Sequence, residues 1–214
     1  MKLPVLYPIL DTATLDQCQL DWVSAAEAIL EGGAKILQFR HKGPFTRRVF
    51  WAAEQIAALC ERAGAVYVID DRADIARVLN AGLHLGQDDL PPREARKILG
   101  DDAVVGFSTH SEEQLRAAAN EPVDYLALGP IFATRSKARP DPVVGLENLA
   151  RWRTLTDRPL VAIGGITREN AQDVLRAGAD SVAVIADLYP IPCTRLSLRA
   201  RIEEWLQLLR SNPA

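Results

Sequence analysis

Two short segments carry paired carboxylates, Asp70-Asp71 and Asp88-Asp89, and a third, Gln38-Phe39-Arg40-His41-Lys42, sets an amide and two cations at every second position. A period of two is how a strand and the loop it feeds present side chains to one side, so Gln38, Arg40 and Lys42 are expected to face a common site. A few hard carboxylate oxygens, with room left for water and substrate phosphate, suit Mg²⁺ better than Zn²⁺. The same acids have a structural use: Asp70 or Asp71 as a helix N-cap, with ion pairs to Arg72 or Arg93. Further along, Gly129-Pro130-Ile131-Phe132-Ala133-Thr134-Arg135-Ser136-Lys137 combines a glycine with two hydroxyls and two cations, the composition of a loop that clamps an anion. The run Ala162-Ile163-Gly164-Gly165-Ile166-Thr167 reads as a glycine turn before a helix starting near Arg168 and capped by Thr167. Backbone amides at such a turn bind phosphate. Ser108-Thr109-His110 offers hydroxyls and an imidazole without arguable Ser-His-Asp geometry, and His110 serves equally well as a structural residue.

Eight short apolar runs must position these groups: Val5–Leu10, Ile36–Phe39, Val66–Ile69, Leu83–Leu85, Val104–Phe107, Tyr125–Leu128, Leu160–Ile163 and Val182–Ile185. Most lack polar alternation, as expected of parallel strands covered on both faces. Between them lie stripes of helical period, among them Leu20, Val23, Ala26 and Leu30, then Val49, Ala53, Ile56, Leu59 and Ala63, and finally Leu198, Ile202, Trp205 and Leu209. Glycines recur at the helix-to-strand joints, in Gly32-Gly33, Ala63-Gly64-Ala65, Ala81-Gly82 and Ala177-Gly178-Ala179. Eight βα units in 214 residues predict a single α/β domain, a closed (β/α)₈ barrel. In that barrel the reacting groups sit at the C-terminal strand ends, which is where every polar segment above falls.

Composition narrows the partners. A formal net charge of -3 and a pI near 5.7 give no general attraction to nucleic acid or an anionic membrane, so any anion site must be local. No apolar run approaches the ~18 residues of a membrane span, and Met1 to Asp11 is too interrupted by proline for a signal peptide. The three cysteines, Cys18, Cys60 and Cys193, have neither disulfide nor metal spacing and read as reduced thiols. A cytoplasmic location is expected, and a homo-oligomer is left open.

Six of these segments, LQFRHKG (37–43), DDRADIA (70–76), GLHLGQDDL (82–90), GFSTH (106–110), DYLALGPIFATRSK (124–137) and VAIGGITREN (161–170), taken in order, resemble thiamine-phosphate synthase from Leu6 to about Leu188. The resemblance implies an enzyme that joins hydroxymethylpyrimidine diphosphate to a thiazole phosphate and releases pyrophosphate with Mg²⁺. It implies that Gln38, Arg40, Lys42, Thr134, Ser136 and Lys137 hold the departing diphosphate and that Asp71 and Asp89 bind the metal. It places Ser108 near the pyrimidine, and Gly165 with Ile185 and Ala186 at the thiazole phosphate. Lys137, Arg40, Lys42 and Ser108 are the expected catalytic residues. Three positions depart from the family pattern: Asp70 replaces a usual Asn within the substrate site, Ala186 a common Ser, and Ala81 an Asp. Two other readings compete. A thiazole tautomerase would need a titratable His where this chain reads Leu128-Gly129-Pro130, and a phosphate-binding regulator would bind ligand without metal dependence.

Overall fold

The structure, a computed structural model, describes residues 2–134 and 141–210. Each of the eight apolar runs forms a strand, in the order β1 (Leu6–Asp11), β2 (Ile36–Arg40), β3 (Val66–Asp70), β4 (Gly82–Leu85), β5 (Val105–Thr109), β6 (Tyr125–Leu128), β7 (Leu160–Ile163) and β8 (Ser181–Val184). Every strand pairs in parallel with its sequence neighbours, and β8 pairs back onto β1, closing the barrel. The crossovers are helical: α1 (Thr12–Cys18) and α2 (Trp22–Glu31), α3 (Arg47–Ala63), α4 (Ala73–Val78), α5 (Pro92–Leu99), α6 (Glu112–Ala118), α7 (Gly145–Trp152) and α8 (Ala171–Arg176), with α9 (Arg195–Arg210) after the last strand. No described helix is long and apolar enough to cross a membrane.

The period of two divides each strand between two cores. One set of side chains, with Leu10, Leu37, Ile69, Leu83, Leu126 and Val182, packs outward against the helices. The alternate set, with Tyr7, Ile9, Ile36, Val68, Tyr125, Ala127, Val161 and Ala183, fills the barrel. Continuing that inward phase toward the C-terminal ends reaches Asp11, Arg40, Asp70, His84 and Ser108, so polar groups crown an apolar plug. Strand register then decides who meets whom: Asp11 lies opposite Arg40, and Asp70 opposite His84.

One boundary differs from expectation. The helix after the glycine turn starts at Ala171 rather than near Arg168, and Thr167 does not cap it. Asn170 intervenes: its Oδ1 accepts from the Thr167 amide at 2.9 Å and its Nδ2 donates to the Gly165 carbonyl at 3.1 Å. This side chain stabilises a turn over 168–170 that the apolar periodicity does not reveal.

Candidate active site

Four strand ends bring acids and cations together at the barrel mouth. Arg40 Nη1 donates to Asp11 Oδ2, and Arg40 Nε lies 3.7 Å from Asp70 Oδ2. Lys42, two residues past β2, reaches both acids after β3, with Nζ 2.7 Å from Asp70 Oδ2 and 2.5 Å from Asp71 Oδ2. Asp70 Oδ2 is thus a buried carboxylate oxygen whose close partners are two cations, Lys42 and Arg40. Asp71 takes the left-handed backbone conformation, φ 63°, and its amide donates to the His84 carbonyl at 2.9 Å. Such a conformation in a residue other than glycine persists only where its surroundings hold it, as at functional sites.

The two carboxylate pairs separate into different roles. Asp88 is exposed, whereas Asp89 turns inward, accepts from the Gly86 amide at 2.7 Å and comes within hydrogen-bonding range of Asp71. Burial, and then the hydrogen bond and charge of Asp71, raise the Asp89 pKa against the opposing Gly86 hydrogen bond. Neither Asp70 nor Asp71 caps a helix: Arg72 occupies the N-cap position of α4 and pairs with Asp74, while Arg93 pairs with Glu121. Among the described residues no group of three or more His, Cys, Asp and Glu is placed to hold a metal ion.

Other expected residues lie around this centre. Ser108 closes the inward face of β5, with Oγ 2.8 Å from His84 Nε2 and its carbonyl accepting from Gln87 Nε2 at 2.6 Å. Gln38 lies below the mouth, buried, and donates to the Tyr7 hydroxyl at 3.2 Å. His110 Nδ1 is 2.6 Å from the Gly129 carbonyl and ties β5 to the loop after β6. Thr134 of that loop is described; Ser136 and Lys137 lie outside the described residues. On the opposite rim Gly164 and Gly165 both have left-handed backbones, φ 98° and 64°, and the half-buried Ile185 leads into a single 3₁₀ turn, Ala186–Leu188. Ala81 sits at the far end of β4, away from the mouth, and the structure gives it no part in the site.

Asp11, His84, Tyr7 and Tyr125 were not singled out by sequence. All four share the inward phase with residues that were, which was the available signal: Asp11 follows Tyr7 and Ile9 at spacing two.

Asp70 yields a prediction about pH. Burial outweighs the attraction of Lys42 and pushes its pKa up to about 6, with the Asp71 charge adding to the rise. A raised acid stabilises the fold fully below its unfolded pKa, near 3.8, and this contribution is lost as pH rises through about 6. Asp70→Asn should therefore match the parent near pH 4 and gain on it by pH 8, by up to ~3 kcal/mol. Thermal unfolding at both pH values measures this, and a difference that does not grow with pH would refute it.

The thiamine monophosphate synthase family model (TMP-TENI) matches residues 6–188. A thiamine-phosphate synthase from Koribacter versatilis is 46% identical over 214 residues, covering 99% of this chain and 98% of its own length. One from Chlorobium phaeovibrioides is 42% identical over 187 residues, 87% of this chain and 90% of its own. The solved thiamine phosphate pyrophosphorylase from Pyrococcus furiosus aligns with a TM-score of 0.83 at 31% identity, over 96% of this chain and 95% of that one. With a matching model over most of its length and a full-length relative, this chain belongs to the thiamine monophosphate synthase family.

Proposed function

We propose that this protein is a thiamine-phosphate synthase that joins hydroxymethylpyrimidine diphosphate to hydroxyethylthiazole phosphate in a Mg²⁺-assisted dissociative substitution. The observation that carries the reading is the charge at the mouth, where Asp11, Asp70, Asp71 and Asp89 surround Arg40 and Lys42. Four acids against two cations disfavour a bound diphosphate unless positive charge is added. The donor set fits a hard divalent cation: Asp71 and Asp89, brought together at the rim, offer carboxylate oxygens. Asp71 and Asp89 would hold the ion. Bound Mg²⁺ supplies charge neutralisation for the leaving diphosphate.

In this reading the bond between the pyrimidine methylene and the diphosphate oxygen breaks, and its electron pair leaves with pyrophosphate. The electron-rich aminopyrimidine stabilises the methylene cation, and the thiazole supplies the electron pair of the new bond. No nucleophilic side chain is required. Arg40 and Lys42, with Thr134, Ser136 and Lys137, hold the diphosphate and meet charge as it grows, while Ser108 positions the pyrimidine. The Gly164-Gly165 turn and the backbone at Ile185 and Ala186 seat the thiazole phosphate, so Ala186 needs no hydroxyl if amides bind there.

The test is pyrophosphate release in a single turnover with both substrates saturating. Lys137→Ala should slow release by ~10²-fold or more while weakening substrate binding far less, because that charge counts most in the transition state. A parent that binds thiazole phosphate yet releases no pyrophosphate would exclude the synthase; a variant as fast as the parent would remove Lys137 from the chemistry.

A further inference from the structure

We infer that a buried hydrogen-bond chain across the barrel holds His84 as the Nε2–H tautomer, so that Ser108 presents its hydroxyl proton to the substrate as a donor. His84 and Tyr125 are positioning residues in this scheme. Its second half, the choice of substrate group, rests on the synthase reading; the tautomer does not.

The chain links five strands. Gln38 Nε2 donates to the Tyr7 hydroxyl at 3.2 Å, Tyr7 and Tyr125 hydroxyls are 2.8 Å apart, Tyr125 Oη is 2.9 Å from His84 Nδ1, and His84 Nε2 is 2.8 Å from Ser108 Oγ. Tyr7, Tyr125, Gln38 and His84 are all buried. Burial raises both phenols well above their ordinary value of 10, so each keeps its proton and has one to donate.

Proton accounting then gives the chain a direction. The Tyr7 oxygen accepts from Gln38, and the only other partner of its hydroxyl among the described residues is Tyr125, so the Tyr7 proton goes to Tyr125. The Tyr125 proton must pass to His84 Nδ1, its remaining partner. With Nδ1 accepting, neutral imidazole carries its hydrogen on Nε2 and donates to Ser108 Oγ. The reverse order would send the Tyr125 proton toward Tyr7 and leave the Tyr7 proton buried without an acceptor, a costly arrangement. The Ser108 proton is thus directed away from His84 and into the mouth. A ring nitrogen of the pyrimidine accepts such a proton; its exocyclic amine, a donor, does not.

Two further features hold the chain in place. The His84 and Tyr125 rings stack with centroids 5.7 Å apart at 21°. Gly106 makes room for the phenol: a Cβ there would stand 2.0 Å from Tyr125 Cζ and 2.4 Å from its hydroxyl. A glycine two residues before the serine is what lets Tyr125 reach His84.

The test begins with ¹⁵N NMR of the imidazoles in the ligand-free parent at neutral pH, with the His84 signals assigned by their loss in His84→Gln. A protonated Nε2 and unprotonated Nδ1 are expected, and Tyr125→Phe should erase this preference. A proton on Nδ1 in the parent would overturn the inference whatever the enzyme's activity. The second arm uses a pyrimidine diphosphate analogue with CH in place of a ring nitrogen, one analogue for each position. One of them should bind the parent roughly 10-fold more weakly than the natural substrate, and this penalty should vanish in Ser108→Ala. A penalty that persists in Ser108→Ala, or none for either analogue, would overturn the donor role even with the tautomer as expected. Failure of the synthase reading itself would show as no binding of the natural diphosphate.

Discussion

Asp71→Asn and Asp89→Asn are each expected to slow single-turnover pyrophosphate release by at least ~10²-fold at Mg²⁺ concentrations that saturate the parent. Each substitution keeps the shape of the side chain and removes one of the two rim charges that would hold the ion. Charge stabilisation by a metal is worth several kcal/mol in the transition state, and ~2.7 kcal/mol already corresponds to 10²-fold. Both residues lie on the C-terminal rim, where substitution affects function more than folding, so the unfolding temperature should change little. The neighbouring Asp88 provides the control, since it is exposed: Asp88→Asn should stay within about twofold of the parent. Full turnover in both rim variants, or in the parent with excess chelator, would remove the metal from the mechanism.

The second large effect is expected at Gly165. Its φ of 64° is one that a β-branched residue adopts only with strain. A Cβ would also stand 2.6 Å from the Ala133 carbonyl oxygen and 2.7 Å from Phe132 Cβ. The first obstacle is backbone and cannot rotate away, so Gly165→Val must push the loop after β6 off its seat. That loop is hydrogen-bonded to the glycine turn through Phe132 N and the Gly164 carbonyl, at 3.0 Å. Strain and overpacking together should cost about 2–4 kcal/mol, or roughly 5–15 °C in unfolding temperature. Thiazole-phosphate affinity should fall by ~10-fold or more, since the side chain also blocks close approach to the turn. Diphosphate affinity should fall less, through the displaced Ala133–Thr134 segment. Calorimetry with each ligand separates the two effects; unchanged thiazole-phosphate affinity would place that site elsewhere.

Much of the scaffold was legible because its signals are local. Eight buried runs separated by helical stripes and glycine joints define (β/α)₈ units without knowledge of any contact, and the period of two assigns each strand residue to the barrel or to the helices. The same locality explains why Arg40, Lys42, Ser108 and Gly165 could be named as rim residues: each ends a strand or begins the loop after one. Thr167 shows the limit within one segment, because the turn depends on where a single Asn170 side chain bonds.

Partnership between segments was decided by closure of the barrel. Strand register sets Asp11 against Arg40, and the length of the Lys42 side chain lets one cation serve both Asp70 and Asp71. The turn after β4 directs Asp89 inward and Asp88 to solvent, a choice that two adjacent identical residues cannot express in sequence. His84, Tyr125 and Tyr7 each read as ordinary strand residues, and they become a hydrogen-bond chain only because a closed barrel turns their three strands' inward faces onto one axis. Cys18 and Cys193, distant in sequence, come within thiol hydrogen-bonding range for a related reason: β8 returns to β1, bringing the segment before α9 beside the end of α1. Composition and periodicity are properties of neighbours along the chain, so they determine which residues face inward and at which end; which inward residues touch depends on register and closure, which are properties of the whole ring.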